Sequence, residues 1–406
     1  MRFLHTSDWH LGQKLLFRDR EEEHRLALDW LRQVIVEHQV DVLLVAGDIF
    51  DIGNPPNYAR RLYYGFLTGL LGTSCRHIVI TGGNHDSPSM LDAPRALLEA
   101  LHIHVVGAAS ADPQDELIEL RDPNGRVEAV VAAVPFLRDR DLRHGVAGEG
   151  GLERQQRIQE GLHRHYAQLA AAAAPYAEAG VPLLAMGHLY ARGAQASARQ
   201  DNIYIGNTEN MDAADFPALF RYVALGHLHR PQLVGEREHI RYSGSLIPLS
   251  FSETADDKGV YLVDFDKGER RSIQFLEASV FRRLKTVEGT LEEVKQRLRR
   301  FDERGERDLR PWVEVIIHTD ELIPQLDVLL NEFTASMYLE LLKIRLQRSA
   351  YRGLDDQVEE ETDLQDMEAL DVFRKKCESY GSPPEEMDAL EATFHELQQW
   401  IMEKTE

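Results

Sequence analysis

"HIVITGGNHDS", residues 77–87, is an apolar run that ends in two glycines, an amide, an imidazole and a carboxylate. His77–Thr81 reads as a strand, and Gly82 and Gly83 supply turn chemistry at its end. Asn84, His85 and Asp86 each need a polar partner if they are drawn inward. A polar turn would explain one such triplet, but the arrangement recurs along the chain. "FLHTSDWH" ends in Asp8 and His10, "LLVAGDIFD" in Asp48 and Asp51, "LLAMGH" in His188, and "YVALGHLH" in His227 and His229. Several strands thus deliver polar groups to their carboxyl ends, the edge at which open α/β sheets bind ligands.

The spacing has a physical meaning. Side chains i and i+2 of an extended segment point the same way, so Asp8 with His10, and His227 with His229, can chelate one ion each. A glycine precedes Asp48, His188 and His227, where the backbone must turn sharply or approach a neighbour. Carboxylate and amide oxygen mixed with imidazole, without thiolate, suits manganese, iron or zinc better than calcium. The donors are too many for one ion, and two ions sharing Asp48 would use them all.

Strands and helices alternate over the first hundred residues, which implies βαβ units. "REEEHRLALDWLRQVIVEH" has a helical apolar face through Leu28, Leu31 and Ile35, a second helix is expected from Asn57 to Leu71, and "DAPRALLEALH" reads as a third with Pro94 in its first turn. Strand-rich sequence follows, interrupted by a long helix over about 152–178. The expected domains are 1–276, an α+β cap at 277–350 that opens its first helix with a Thr290/Glu293 capping box, an acidic linker at 351–366 and a helical tail at 367–406.

The chain has 406 residues and a formal net charge of -22. That balance argues against gripping nucleic acid by charge alone. Much of the excess lies beyond residue 350, where 17 Asp and Glu face 5 Lys and Arg. Only Cys75 and Cys377 occur, which excludes a disulfide framework and points to a reducing cytoplasm. No run is long and apolar enough for a membrane span, and "MRFLHTSDWH" is too polar for a signal peptide. His5 reads as a packed strand histidine, and His24, His77, His102, His163 and His165 as surface or helix residues without a site role.

In order, D-x-H, G-D-x-x-D, G-N-H-D, G-H and G-H-x-H resemble the calcineurin-like metallophosphoesterase superfamily. The resemblance implies an α/β fold, a β-sandwich flanked by helices, with Asp8, His10, Asp48 and His229 on one divalent ion and Asp48, Asn84, His188 and His227 on a second. His85 would face the scissile phosphate rather than bind metal, and Asp51 and Asp86 would orient histidines or cap helices. Such ions activate a water and clamp phosphate oxygens; hydroxide would attack phosphorus while His85 assists the leaving sugar oxygen.

Two further stretches, "HTSDWHLGQKLLFRDREEEHRLALDWL" (5–31) and "YSGSLIPLSFSE" (242–253), resemble SbcD-type DNA repair nucleases, as does the domain order. That resemblance implies a manganese-dependent 3′-to-5′ exonuclease and endonuclease. It would process DNA ends and hairpins in repair, recombination and replication, with an SMC-like ATPase, SbcC, as partner. It also implies a homodimer within a heterotetramer, packed through Tyr63, Phe66, Leu67 and Leu70 of one helix and Leu91, Leu97 and Leu98 of the next. The alternative for those faces is packing on the chain's own sheet. Basic residues of the cap, "KQRLRRF" with Lys343, Arg345 and Arg348, are candidates for phosphate contact or for a solvated face. The tail carries two apolar stripes, one through Met387, Leu390, Phe394, Leu397 and Ile401, suited to docking on a partner's coiled coil. A nucleotide phosphodiesterase of the same superfamily and a non-catalytic scaffold for the ATPase are the competing functions.

Overall fold

The computed structural model describes residues 1–142, 151–192, 194, 210–302, 309–319 and 323–347. The expected linker, tail stripes and Arg348 lie outside the described residues.

The elements that position the site are, in chain order, β1 (Arg2–Thr6), α1 (Glu21–Glu37), β2 (Val42–Ala46), α2 (Asn57–Gly69), β3 (His77–Thr81), β4 (Ile103–Val106), β5 (Leu117–Arg121), β6 (Val127–Ala133), α3 (Gly151–Glu178), β7 (Leu183–His188), β8 (Tyr222–Gly226), β9 (Gln232–Val234), β10 (Arg237–Tyr242), β11 (Gly259–Asp266) and β12 (Glu269–Glu277). They form two six-stranded sheets, ordered β12-β11-β1-β2-β3-β4 and β9-β10-β8-β7-β6-β5. In the first, β1 to β4 run parallel and β11 and β12 close one edge antiparallel. In the second, β6, β7, β8 and β10 are parallel.

Alternation along β2 shows how the layers are made. Leu43 and Val45 face the core under α1 and α2, which includes Leu28, Leu31, Ile35 and Phe66. Val42, Leu44 and Ala46 face the other way, into an apolar layer shared with Leu184, Met186 and Ala224 of the second sheet. A strand covered on both faces reads as a continuous apolar run. The far face of the second sheet is covered by α3 through Ile158, Leu162, Tyr166 and Leu169. The result is two sheets packed face to face with helices outside both, the expected β-sandwich flanked by helices.

The third helix differs from expectation. Expected over 92–102, it is shortened to Arg95–Glu99 with Pro94 at its N-cap, and a separate one-turn piece, Pro88–Asp92, precedes it. Proline has no N–H to bond the preceding turn, so the helix cannot run through it. The Asp92 carboxylate instead accepts the Gly107 N–H at 2.9 Å. The apolar faces considered for a dimer are also largely occupied within the chain. Tyr63, Phe66, Leu67, Leu70, Leu91 and Leu98 are buried in the core beneath their own sheet, and Leu97 alone of the set is exposed.

Beyond β12, β13 (Leu284–Gly289), α4 (Leu291–Phe301), β14 (Trp312–His318), α5 (Leu326–Thr334) and β15 (Glu340–Gln347) make a cap with a three-stranded parallel sheet. The Thr290/Glu293 capping box is present. Lys343 and Arg345 pair with Glu314 at 3.3 and 3.9 Å. The cap seats on the first domain through Leu15, Leu284 and Trp312, and Arg282 bonds the buried Glu23 at 2.8 Å while stacking on Trp312. Among the described residues no helix is long and apolar enough to cross a membrane.

His5 is packed between the sheets, as expected, with Nδ1 2.9 Å from the Tyr222 hydroxyl and Nε2 3.2 Å from the Leu225 carbonyl. His24 and His165 lie on helices, as expected, and are buried there, whereas His77, expected at the surface or on a helix, is a buried strand residue. His165 sits on α3 and bonds the buried Glu116 at 2.7 Å. Burial holds the His5 pKa down to about 3, against a partial opposing effect of the Leu225 carbonyl. The unfolded chain protonates this residue near pH 6.5, so between pH 6.5 and 3 the unfolded state binds more protons and stability falls as pH falls, by up to about 1.4 kcal/mol per pH unit. Urea unfolding of His5→Gln is expected to show a shallower loss than the parent between pH 6.5 and 4; equal slopes would contradict a neutral buried His5.

Candidate metal centre

Every candidate site residue lies just past the carboxyl end of a parallel strand, and both sheets point these ends at one place. β1 leads to Asp8 and His10, β2 to Asp48 and Asp51, β3 to Asn84, His85 and Asp86, β7 ends in His188, and β8 leads to His227 and His229. The backbone there is left-handed at four non-glycine residues, with φ of 51° at Asp8, 45° at His10, 49° at Asp48 and 101° at His227. Such conformations cost on the order of 1–3 kcal/mol each and persist where surrounding contacts enforce them. Those contacts are present. The Asp8 N–H donates to Gly47 O at 3.1 Å and the His10 N–H to Asp48 O at 3.0 Å. The His227 N–H donates to the Asp8 carboxylate at 2.9 Å, and the His85 N–H to Asp48 Oδ1 at 3.0 Å.

Gly47 and Gly226 make the convergence sterically feasible. Gly47 has φ +81°, and a Cβ there would lie 2.1 Å from His188 Nδ1. A Cβ on Gly226 would lie 1.8 Å from the Ala46 carbonyl oxygen of the opposite sheet. Both positions therefore exclude any side chain.

The donor atoms of Asp8, His10 and His229 lie within 4.8 Å of one another, and so do those of Asp8, Asp48 and His188. Asp48 Oδ2 stands between the two groups, 3.4 Å from His10 Nε2 and 3.3 Å from His188 Nε2. Asn84 Oδ1 receives His188 Nε2 at 3.0 Å and His227 Nδ1 at 2.9 Å. All seven side chains expected to hold metal are thus brought together.

The electrostatics suit cations. His10 Nε2 is buried with no hydrogen-bond partner, a lone donor aimed into the cluster. Burial alone would lower the pKa of His10, but the hydrogen bond to Asp51 and the charges of Asp48 and Asp8 outweigh it and raise it to about 9. His188 is likewise raised to about 9, its burial outweighed by Asp48. Burial would raise the Asp48 carboxyl, yet His188 and His10 hold it well below the usual range. Two buried imidazoles drawn to take up protons mark a strongly negative site, and divalent ions would supply the same compensation with better matched geometry. On the chemistry of the donors and the orphaned His10 nitrogen, the residues fit a pair of divalent cations.

The remaining residues play distinct parts. Asp51 Oδ1 lies 3.1 Å from His10 Nδ1. Among the described residues Asp86 hydrogen-bonds to no histidine and to no helix terminus. It accepts the N–H groups of Ile49, Phe50 and Gly83 at 3.1, 2.9 and 2.9 Å, lacing the loop after β2 to the loop after β3. Burial and the Asp48 charge raise its pKa to about 6 against those three donors. His85 stands exposed at the rim, its Nδ1 donating to the Asp51 carbonyl at 2.8 Å. Two groups were not anticipated. Glu253 Oε1 contacts His229 Nδ1 at 3.2 Å, and Phe136 stacks near the His227 ring at 6.4 Å. Glu253 closes the "YSGSLIPLSFSE" stretch, but a carboxylate 24 residues after its histidine carries no spacing signal.

A family model described as calcineurin-like phosphoesterase matches residues 1–231, and one described as type 5 capsule protein repressor C-terminal domain matches 280–380. The chain is 38% identical over 377 residues to the SbcD subunit of nuclease SbcCD from Escherichia coli K12, covering 93% of this chain and 92% of that protein. The protein of the same name from Rhodobacter capsulatus is 44% identical over 66% of this chain and 67% of its own length. That of Bacillus subtilis is 33% identical over 68% of both.

Asp48→Asn is expected to weaken binding of both ions together, each by roughly tenfold or more, about 1.4 kcal/mol. Manganese titration by calorimetry reads this directly, and a loss confined to one ion would assign Asp48 to that ion alone.

Proposed function

The chain belongs to the calcineurin-like phosphoesterases and, within them, to the family of SbcD nucleases; on that basis we propose that it is a dinuclear-metal nuclease that cleaves DNA phosphodiesters. The observation that carries the reading is the placement of His85, an exposed imidazole pinned at the rim of the cluster of Asp, Asn and His side chains. Asp8, His10, Asp48 and His229 would hold one ion and Asp48, Asn84, His188 and His227 the other. Bound there, two divalent ions supply Lewis acidity that activates a water and neutralises charge on the phosphate oxygens.

The chain's own residues do the rest. The Asp51 carbonyl accepts the His85 Nδ1 proton, so Nε2 is the atom left to exchange a proton with the substrate. A sugar oxygen leaves poorly as an alkoxide, and the doubly protonated form of His85 would meet that need by giving up its Nε2 proton while Nδ1–H stays on the Asp51 carbonyl. Asp51 Oδ1 at the same time holds His10, so one residue orients both the catalytic imidazole and a candidate ligand. Asp86 fixes the two loops that carry Asp48 and His85.

A second feature favours a nucleic-acid substrate over a small diester. Lys14–Leu15 and Arg18–Asp19 pair as a hairpin whose tip is Leu16 and Phe17, both at positive φ. This turn normally takes glycine or asparagine, yet here it presents a phenyl ring 95% exposed between Lys14 and Arg18. The hairpin begins four residues after His10. Tyr58 feels the charges of both Asp19 and Asp51, so the hairpin and the rim share a neighbourhood. An exposed aromatic flanked by cations suits stacking on an unpaired base. The SMC-like ATPase SbcC as partner, manganese as the metal, a homodimer within a heterotetramer, exonuclease and endonuclease activity on ends and hairpins in repair, recombination and replication, and a cytoplasmic location complete the proposal. They follow from the family rather than from the geometry.

Two substitutions test it in a manganese-dependent assay on a single-stranded oligonucleotide and on bis-p-nitrophenyl phosphate. His85→Ala is expected to lose activity on DNA by about 10²–10⁴-fold while still binding two ions by metal analysis; loss of both ions would make His85 a ligand. Phe17→Ala is expected to raise KM for the oligonucleotide, reflecting about 1–3 kcal/mol of stacking, and to leave the small diester unaffected. An equal effect on both substrates would remove the support that the hairpin lends to DNA.

A further inference from the structure

The histidines of the two candidate ion sites are held differently. His188 is backed by a backbone carbonyl, Ala46 O at 2.9 Å from its Nδ1. His10 and His229, which share a donor group with Asp8, are each backed by a carboxylate, Asp51 at 3.1 Å and Glu253 at 3.2 Å. Asp51 lies three residues past Asp48 and is partly exposed, but Glu253 is almost fully buried and comes from a separate short 3₁₀ turn, Phe251–Glu253.

Both oxygens of Glu253 are engaged. Its Oε2 accepts the Lys258 ammonium at 2.8 Å and the Leu249 N–H at 3.0 Å, and its Oε1 faces His229 with the Ser250 hydroxyl at 3.4 Å. Lys258 is itself buried and donates twice more, to the His229 carbonyl at 2.8 Å and to Ser245 Oγ at 3.0 Å. One ion pair therefore grips His229 at both ends, ring and backbone. A buried carboxylate and ammonium so placed cost desolvation and are weak evidence of added stability. Their geometry serves His229 instead.

We propose that Glu253 is a positioning residue for the ion site built on Asp8, His10 and His229, fixing His229 as the Nε2 donor, with Lys258 holding Glu253 in place. Paired with Lys258, Glu253 is ionised and can only accept, so the proton of a neutral His229 resides on Nδ1 and the lone pair on Nε2. The contact also fixes the ring's rotation, and outer contacts of this kind typically amount to 10–100-fold in metal affinity. The partners of Glu253 are His229, Lys258, Leu249 and Ser250, and it holds no histidine of the other ion, so its effect is confined to one of the two. The inference rests on the two-ion reading of the site.

The test uses the full-length protein and manganese. Because Glu253→Ala would strand Lys258 in the interior, the main variant is Glu253→Met with Lys258→Met, which removes both charges at nearly constant volume. Glu253→Gln is the conservative companion, since its amide oxygen still accepts from Nδ1. Manganese affinities are read by calorimetric titration and by the paramagnetic resonance of the bound ion pair, and folding by thermal unfolding in chelator. In the double variant one of the two ions is expected to bind about 10–100-fold more weakly, the other as in the parent, with an unchanged Tm in chelator; Glu253→Gln should recover part of the loss. Two unchanged affinities would overturn the proposal, and so would an equal loss at both ions or one that tracks a lowered Tm, either of which marks Glu253 as structural. A parent protein that binds fewer than two manganese ions would overturn the underlying two-ion reading, and this inference with it.

Discussion

The carboxyl ends of the two sheets meet where Gly226 passes the Ala46 carbonyl, at a separation that leaves no room for even a methyl group. The Asp8 carboxylate locks this approach by accepting the His227 N–H from across the sandwich. The rest of the centre depends on that junction. Neither sheet alone carries enough donors for two ions. The first provides carboxylates, the amide and His10, and the second provides His188, His227 and His229. Close packing of the apolar layer between them sets the distance at which these halves face each other.

The junction also explains where backbone strain accumulates. Asp8, His10, Asp48 and His227 all adopt left-handed conformations within a few residues of it. A strand that simply continued would carry its side chains past the opposing sheet, and turning abruptly brings them into the gap. The strain is offset by the packing of two extensive cores, one under α1 and α2 and one under α3. Excess negative charge at this point would be destabilising without compensation, and in the protein alone the compensation comes from His10 and His188 drawing protons.

The cap is tied to the same region through buried polar groups rather than a broad apolar face. Arg20 donates to Gln13 at 2.9 Å and to Pro248 O at 2.7 Å, and pairs with Glu23, which Arg282 reaches from the cap side. Gln13 in turn bonds Leu249 O, whose own N–H is held by Glu253. The loop that braces His229 is thereby continuous with the seat of the cap. This arrangement lies between segments distant in sequence, and it joins the two stretches, 5–31 and 242–253, that resemble the SbcD-type nucleases.

Local chemistry was legible in the sequence because it is written in short runs. Apolar strands ending in Asp, Asn or His picked out ten polar groups, the family resemblance singled out the seven that converge, and alternation of strands and helices identified the layered α/β class. The helix expected over 92–102 is present only as Arg95–Glu99, opened by Pro94 at its N-cap, and a separate turn, Pro88–Asp92, precedes it. The faces of α2 and of its neighbour could not be assigned from pattern, since a stripe packed on the chain's own sheet and a stripe offered to a second copy look alike; burial decided for the sheet. Burial likewise decided the fates of His24, His165 and Asp86, which depend on what folds over them. Glu253 and Lys258 were invisible as site residues because their role exists only once a loop 24 residues beyond His229 folds back upon it. Sequence alone determined which groups could bind a metal and that strands would carry them to one edge. Tertiary structure decided how they face one another, which imidazole nitrogen is left free, and which buried charges hold them, because those are consequences of two sheets closing to contact.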